Sequence, residues 1–235
     1  MSTNAGNSRK HILVSGYFGV GAQHIFPAVE GRACVFFSND ESLRGAAESK
    51  GWIFDFVAQH PLTPDYRISS QQSKYIKFLQ FLKDRPEYQT LDAVTYFDHK
   101  LNVKEEHIRW ILAHMNPEKS ILMRMTPKLK KHLDDEIRPA LAQDRYKANM
   151  EKTIRWIEAL RATKHIKENV RIANTGLIHY ARIDTIMPML DEIYRTVWEL
   201  GQPECQIVWA VVSQAYEDHI QCVAASDLNP SRAIP

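Results

Sequence analysis

The sequence predicts an α/β protein in which helices flank one mainly parallel sheet. Short apolar runs rich in β-branched and aromatic residues, longer segments with apolar residues at helical spacing, and alternation of the two along 235 residues carry that expectation. With 44% hydrophobic and 25% charged residues the chain can bury a sizeable core, which excludes long disorder, collagen-like repeats and a disulfide-built miniature.

His11–Tyr17 (HILVSGY) reads as the first strand, Ala33–Ser38 (ACVFFS) as the second and Trp52–Val57 (WIFDFV) as the third, each suited to a pleated, buried surface. The period then changes. Tyr75, Phe78, Leu79 and Leu82 recur at helical spacing and predict a helix over Ser70–Leu82. A fourth strand, Ala93–Phe97 (AVTYF), runs into Asp98, a polar helix follows over Lys104–His114, and Ser120–Met125 (SILMRM) is a fifth strand. Lys128–Ala162 is charged and helical in pattern, with Pro139 opening a fresh helix because its fixed φ suits a first turn. Its runs KLKK and DDE read as solvated faces. Arg171–Tyr180 (RIANTGLIHY) returns to strand character around the polar break Asn174-Thr175-Gly176. Two helical patterns, Asp184–Leu200 and Glu204–Tyr216, precede a last short strand near His219–Val223. No repeat or Gly/Ser-rich linker divides the chain, so residues 11–235 are expected to form a single domain behind a loose polar tail of residues 1–10.

Thirty Lys and Arg against 28 Asp and Glu give a net charge of +2, a balance that supplies no electrostatic footprint for nucleic acid or an anionic membrane. Cys34, Cys205 and Cys222 lie far apart without a CxxC pair, so neither a disulfide framework nor a zinc site is suggested, and reduced thiols in a cytoplasm are expected. No apolar run approaches the roughly 18 residues of a membrane span, and the amino-terminal segment lacks the apolar stretch of a secretory signal.

Two places could carry phosphate chemistry. Gly16-Tyr17-Phe18-Gly19-Val20-Gly21, directly after the first strand, could bring backbone amides to a phosphate, with Asp40 accepting a ribose hydroxyl as in a dinucleotide fold. That would make an NAD(P)-dependent oxidoreductase. Yet the spacing is GxxGxG rather than GxGxxG, and Ala22–Arg32, broken by Pro27 and Gly31, is short for a crossover helix; a plain turn is the other reading. Asp98-His99-Lys100 stands where a buried strand ends, and in open α/β sheets ligands gather at such carboxyl ends. Asp98 and His99 are therefore candidate ligands for Mn²⁺ or Mg²⁺ held against a diphosphate, unless Asp98 merely caps the following helix. Upstream, Lys74 and Lys77 share one helix face, with Arg67 before them; they would meet phosphate oxygens or form a wet face, Lys74 being the better candidate.

Other polar features carry less. His107 and His114 lack an HExxH partner, no Gly-x-Ser-x-Gly elbow is present, and Cys34 inside a strand reads as a small buried hydrophobe. Trp110, Trp156, Trp198 and Trp209, on helical patterns with apolar neighbours, read as core.

In chain order, VFFSNDES, Gly51-Trp52, the Lys74 helix and PEYQTLDAVTYFDHKLNV, then Asp135-Glu136, Arg145-Tyr146, ANTGLIHYAR and PECQIVWAVVSQ, resemble GT-A-type nucleotide-sugar glycosyltransferases related to plant mucilage-associated enzymes. The likeness spans roughly residues 11–223. It implies a GT-A-like, Rossmann-like fold and transfer of a sugar from a nucleotide-diphosphate donor, a UDP-sugar first, to a glycan or other hydroxyl acceptor. Such transfer passes through a cationic sugar and expels a nucleoside diphosphate, so it needs charge neutralisation at the phosphates and carboxylates or amides around the sugar. The expected donor side is Tyr17, Asp40, Lys74 and Asp98; the substrate side is Asn174, Thr175, Gly176 and His179; Asp98, Glu204 and Gln206 stand nearest the reaction. Two positions depart from the family. Lys100 replaces the second acid after the strand, and Cys205 stands where the carboxyl-terminal motif carries aspartate. Either a metal is bound through His99 or Lys100 supplies the counter-charge. The eroded acidic motif also suits a non-catalytic nucleotide- or sugar-binding protein.

Overall fold

The computed structural model describes residues 10–21, 24–126, 132–163, 166–167, 170 and 172–232. In chain order the elements are β1 (His11–Tyr17), β2 (Ala33–Ser38), α1 (Arg44–Glu48), β3 (Ile53–Phe56), α2 (Tyr66–Gln72), α3 (Lys74–Lys77), α4 (Phe81–Asp84), β4 (Ala93–Phe97), β5 (Leu101–Asn102) and α5 (Glu105–His114). After these come β6 (Ile121–Met125), α6 (Asp134–Leu141), α7 (Asp144–Lys147), α8 (Met150–Ala162), β7 (Ala173–Ala181), α9 (Met187–Leu200), α10 (Cys205–Val212), β8 (Ile220–Val223) and β9 (Ser231–Arg232).

Seven strands form one sheet in the order β3-β2-β1-β4-β7-β6-β8. All neighbours are parallel except β7, which runs antiparallel to both β4 and β6. The sheet is therefore mixed and mostly parallel, as the alternation of strands and helices predicts. Because strand side chains alternate between faces, Val14, Phe37, Val94, Tyr96, Ile178 and Tyr180 point toward α3, α4, α9 and α10. Leu13, Phe36, Phe97, Leu122 and Leu177 point the other way, toward α1 and α5. A third cluster packs α6, α7 and α8 against Ile207 and Val211 of α10. Gly16 sits where β1 needs no side chain, since a methyl group there would lie 2.3 Å from the Phe37 carbonyl oxygen. No helix among the described residues is long and apolar enough to cross a membrane.

The helix expected over Ser70–Leu82 is broken into α2, α3 and α4. Leu79 takes φ +55°, a left-handed conformation that costs an L-residue about 1–2 kcal/mol and ends the α3 turn. The fully buried Tyr180 hydroxyl donates to the Lys77 carbonyl at 2.7 Å, tying α3 to the sheet. Tyr180→Phe should lower the unfolding free energy by about 1–2 kcal/mol, because that carbonyl loses its partner in the interior. A denaturation midpoint unchanged from the parent would show that the bond is not made.

Over Lys128–Ala162, residues 128–131 lie outside the described residues, as do residues 1–9 of the expected tail, and the rest is three helices. Pro139 lies inside α6 rather than opening a helix; α6 starts instead at Asp134, with three acids in its first turn to complement the dipole. Glu136 departs from the solvated reading of the DDE run, for it is buried. The paired two-residue strands β5 and β9 have no counterpart in the sequence expectation.

Candidate active site

The antiparallel pairing of β4 with β7 sets the site. It brings the carboxyl end of β4 beside the first half of β7, so that the Asp98 N–H donates to the Gly176 carbonyl at 2.8 Å. A methyl group on Gly176 would lie 3.0 Å from Asp98 Oδ2 and 2.9 Å from Asn174 Oδ1. Glycine thus lets the carboxylate lie over the strand, and Asn174 Oδ1 accepts the Gly176 N–H at 2.8 Å.

Asp98 meets two groups from the face that carries α3. Tyr96 donates its hydroxyl to Oδ1 at 2.5 Å, and Lys77 Nζ stands 3.2 Å from the same oxygen, with its ammonium 5.2 Å from the Tyr96 ring centre. The Lys77 side chain is 6% exposed and that of Asp98 38%, so the pair spans the boundary between interior and solvent. Burial disfavours the Asp98 anion, but Lys77, the Tyr96 hydrogen bond and Lys74 outweigh it and hold the carboxyl below its ordinary range. Burial likewise opposes the Lys77 ammonium, but Asp98, with Cys205 and Glu204 adding to it, outweighs that penalty, so its pKa lies above the usual lysine value.

Lys74 is also buried, and its ammonium has only 3.5 Å contacts to the Ser70 and Ser73 hydroxyls. Burial pulls its pKa down. Neither lysine forms a wet face. Arg67, by contrast, is spent on Asp65 at the start of α2.

α10 opens with Glu204, whose side chain accepts the Gln206 N–H at 3.1 Å. Burial, then the nearby Glu136, push its pKa up, while a hydrogen bond from the Tyr146 hydroxyl works in the other direction. Gln206 bridges two elements: Nε2 donates to Glu136 at 2.8 Å, and Oε1 accepts the Thr175 N–H at 3.4 Å. Cys205 Sγ lies 3.6 Å from the Thr175 hydroxyl.

A third group lines the ends of β1 and β2. The Tyr17 ring meets His99 edge-on at 5.2 Å, while the Tyr17 hydroxyl donates to the Val20 carbonyl. Burial lowers the His99 pKa to about 4 against the pull of Asp98; the ring hydrogen-bonds the Gly16 backbone, and its buried Nε2 has no partner among the described residues. Asp40 Oδ1 accepts the Ser42 N–H at 3.0 Å and hydroxyl at 2.6 Å, capping a short turn. Buried Asn39, which the sequence reading passes over, accepts the Gly19 N–H at 3.0 Å. No helix forms in the described residues between β1 and β2, so a dinucleotide arrangement has no helix terminus there to meet a pyrophosphate.

Asp98, Lys74, Asn174, Thr175, Gly176, Glu204 and Gln206 thus surround one region, with Tyr17, His99 and Asp40 extending it toward β1 and β2. His179 does not join them. It lies on the opposite sheet face, where Nδ1 meets the Thr95 hydroxyl at 2.8 Å and the ring stands edge-on to His11. Lys77, Tyr96, Glu136 and Tyr146 complete the cluster. Lys77 stood beside Lys74 as a candidate phosphate contact in the sequence, and Glu136 and Tyr146 lie in segments that carry the resemblance; Tyr96, two residues before the strand-end acid, had no expected role.

No family model matches the sequence, and no curated protein matches it. Among solved structures the chain is similar to mouse xyloside xylosyltransferase 1 in its apo form, at 9% identity, over 92% of this chain and 86% of that one, with a TM-score of 0.53. The fold is GT-A-like. Weaker likenesses are a glycosyltransferase involved in glycosylation of the major capsid of PBCV-1 (8% identity, 92% and 82% coverage, TM-score 0.46) and 4-diphosphocytidyl-2C-methyl-D-erythritol synthase from Anaerococcus prevotii (9%, 96% and 93%, 0.47).

Proposed function

We propose that this protein is a glycosyltransferase that moves a sugar from a nucleotide-diphosphate donor, a UDP-sugar in the first instance, to a hydroxyl of a glycan or other acceptor. The observation that supports it is the meeting of Asp98 with two buried lysines at the carboxyl end of β4, beside the Asn174–Gly176 segment that also contacts the start of α10. In this reading residues 11–235 act as one domain, and Asp98, Lys74, Tyr17 and Asp40 face the nucleotide. Glu204, Gln206, Asn174, Thr175 and Gly176 face the sugar and acceptor; His179 is left to the sheet. The anomeric carbon–oxygen bond to the diphosphate breaks with its electron pair passing to the phosphate oxygen. The acceptor oxygen bonds the anomeric carbon and passes its proton to the departing diphosphate, whose new oxyanion takes it up. Buried ammonium groups oppose the charge that grows on the leaving phosphate, where a water-poor setting strengthens them.

Calorimetry with UDP, GDP and their sugars should detect binding of at least one nucleotide with a dissociation constant of about 1 mM or tighter. Absence of heat with every nucleotide would remove the reading. Lys100 and Cys205, where acids are expected, favour a second reading: a protein that holds the donor without transferring it. Donor bound yet neither transferred nor hydrolysed over long incubation would select that one.

A further inference from the structure

We infer that the positive charge this site presents to a diphosphate comes from Lys74 and Lys77 and not from a divalent cation. The inference rests on the donor-site reading above and concerns how that site holds its phosphates.

The residues present do not fit Mn²⁺ or Mg²⁺. Such cations take mostly oxygen ligands and at nucleotide sites are held by one or two free carboxylates together with the substrate's phosphates. Here Asp98 stands without a second acid, since the residue two positions on is the exposed Lys100. Among the described residues no three His, Cys, Asp or Glu side chains come together to hold a metal ion. Asp98 Oδ1 is already taken by the Lys77 ammonium at 3.2 Å and the Tyr96 hydroxyl at 2.5 Å. An ion placed on that carboxylate would face the Lys77 charge directly, inside a region where charges are poorly screened. His99 adds one neutral nitrogen, which does not replace a carboxylate.

The same geometry supplies what an ion would. Lys74 is 5% exposed, and no carboxylate among the described residues lies within ion-pair distance of it. Two ammonium groups therefore share one paired carboxylate, and among the described residues the direct polar contacts of the Lys74 ammonium are two hydroxyls at 3.5 Å. A buried charge of that kind is costly until an anion reaches it, and a phosphate oxygen is a fitting partner. The Tyr180 hydroxyl on the Lys77 carbonyl fixes α3, so both lysines are held in place before the ligand arrives.

The test is a calorimetric titration of UDP into the full chain, first with EDTA and then with excess Mn²⁺. The dissociation constants should agree within about twofold, and Lys74→Met should weaken binding about tenfold or more in both buffers, whereas Lys74→Arg keeps it within about fivefold. Melting curves show whether each variant is folded, and the comparison of the two buffers needs no variant. Binding seen only with Mn²⁺ would overturn the inference and leave the donor-site reading in place. No binding in either buffer would remove both.

Discussion

Asp98→Ala is expected to lower the unfolding free energy at neutral pH by about 2–3 kcal/mol, and adding Lys77→Met to recover most of that loss. The asymmetry follows from where the partners lie. Lys77 is almost wholly enclosed while Asp98 reaches solvent, so deleting the carboxylate strands an ammonium that water cannot reach. Breaking a fully buried pair in this way costs about 3–5 kcal/mol, and the partial exposure of Asp98 reduces the figure. Lys74 adds to the imbalance, because Asp98 is one of the few negative charges acting on it. Tyr96 also loses the acceptor for its hydroxyl. A methionine at position 77 keeps an unbranched apolar stem beside the Tyr96 ring and removes the stranded charge. Urea unfolding of the parent, both single variants and the double variant gives the coupling between the two residues. Additive losses would mean that no ion pair is made, whatever the fate of nucleotide binding.

Much of this frame was readable because strands announce themselves locally. β1, β2 and β4 fall on the apolar runs that predicted them, and Asp98 was found as the acid at the end of a buried strand. The parts that were not readable depend on distant residues. The break at Leu79 is stabilised by a hydroxyl from Tyr180, far along the chain, so helical spacing through Leu82 could not reveal it. Glu136 looked like one acid in a charged run, and its burial became visible only when α6 met Gln206 of α10. The direction of β7 is likewise not a property of its own residues; its pairing brings Gly176 to Asp98. His179 is a different case. It lies three residues beyond Gly176 and faces the other side of the sheet, but alternation alone does not place it, because the register of β7 against β6 shifts between Asn174 and Ile178 and turns Thr175, four residues from His179, toward Cys205.

That opposite face carries the second large expectation: stability should fall as pH drops from about 6.5 toward 4, by several kcal/mol in total. Burial lowers the pKa of His11 to about 4, that of His99 to about 4 and that of His179 to about 3. Below 6.5 the unfolded chain takes up protons on these rings and the folded chain does not, so falling pH favours unfolding until the folded values are reached. Each ring contributes at most about 1.4 kcal/mol per pH unit, less where it is partly exposed. The raised pKa values of Glu204 and Asp55 work in the opposite sense, since their protonation as pH falls favours the fold, but they are two groups against five histidines, His60 and His107 being lowered by burial as well. Asp98, with its lowered pKa, gives up its contribution only at lower pH still. The pair on the sheet dominates because the Thr95 hydroxyl sits 2.8 Å from both His11 Nε2 and His179 Nδ1. Charging both rings would set two cations edge to face with centres 5.3 Å apart. Urea midpoints measured at pH 7.5, 6.5, 5.5 and 4.5 should decline through that range, and His179→Gln should flatten the slope by about one proton's worth. Midpoints that hold steady from 6.5 to 4.5 would mean that these imidazoles charge freely inside the fold and that their enclosure between β1, β4 and β7 is wrong.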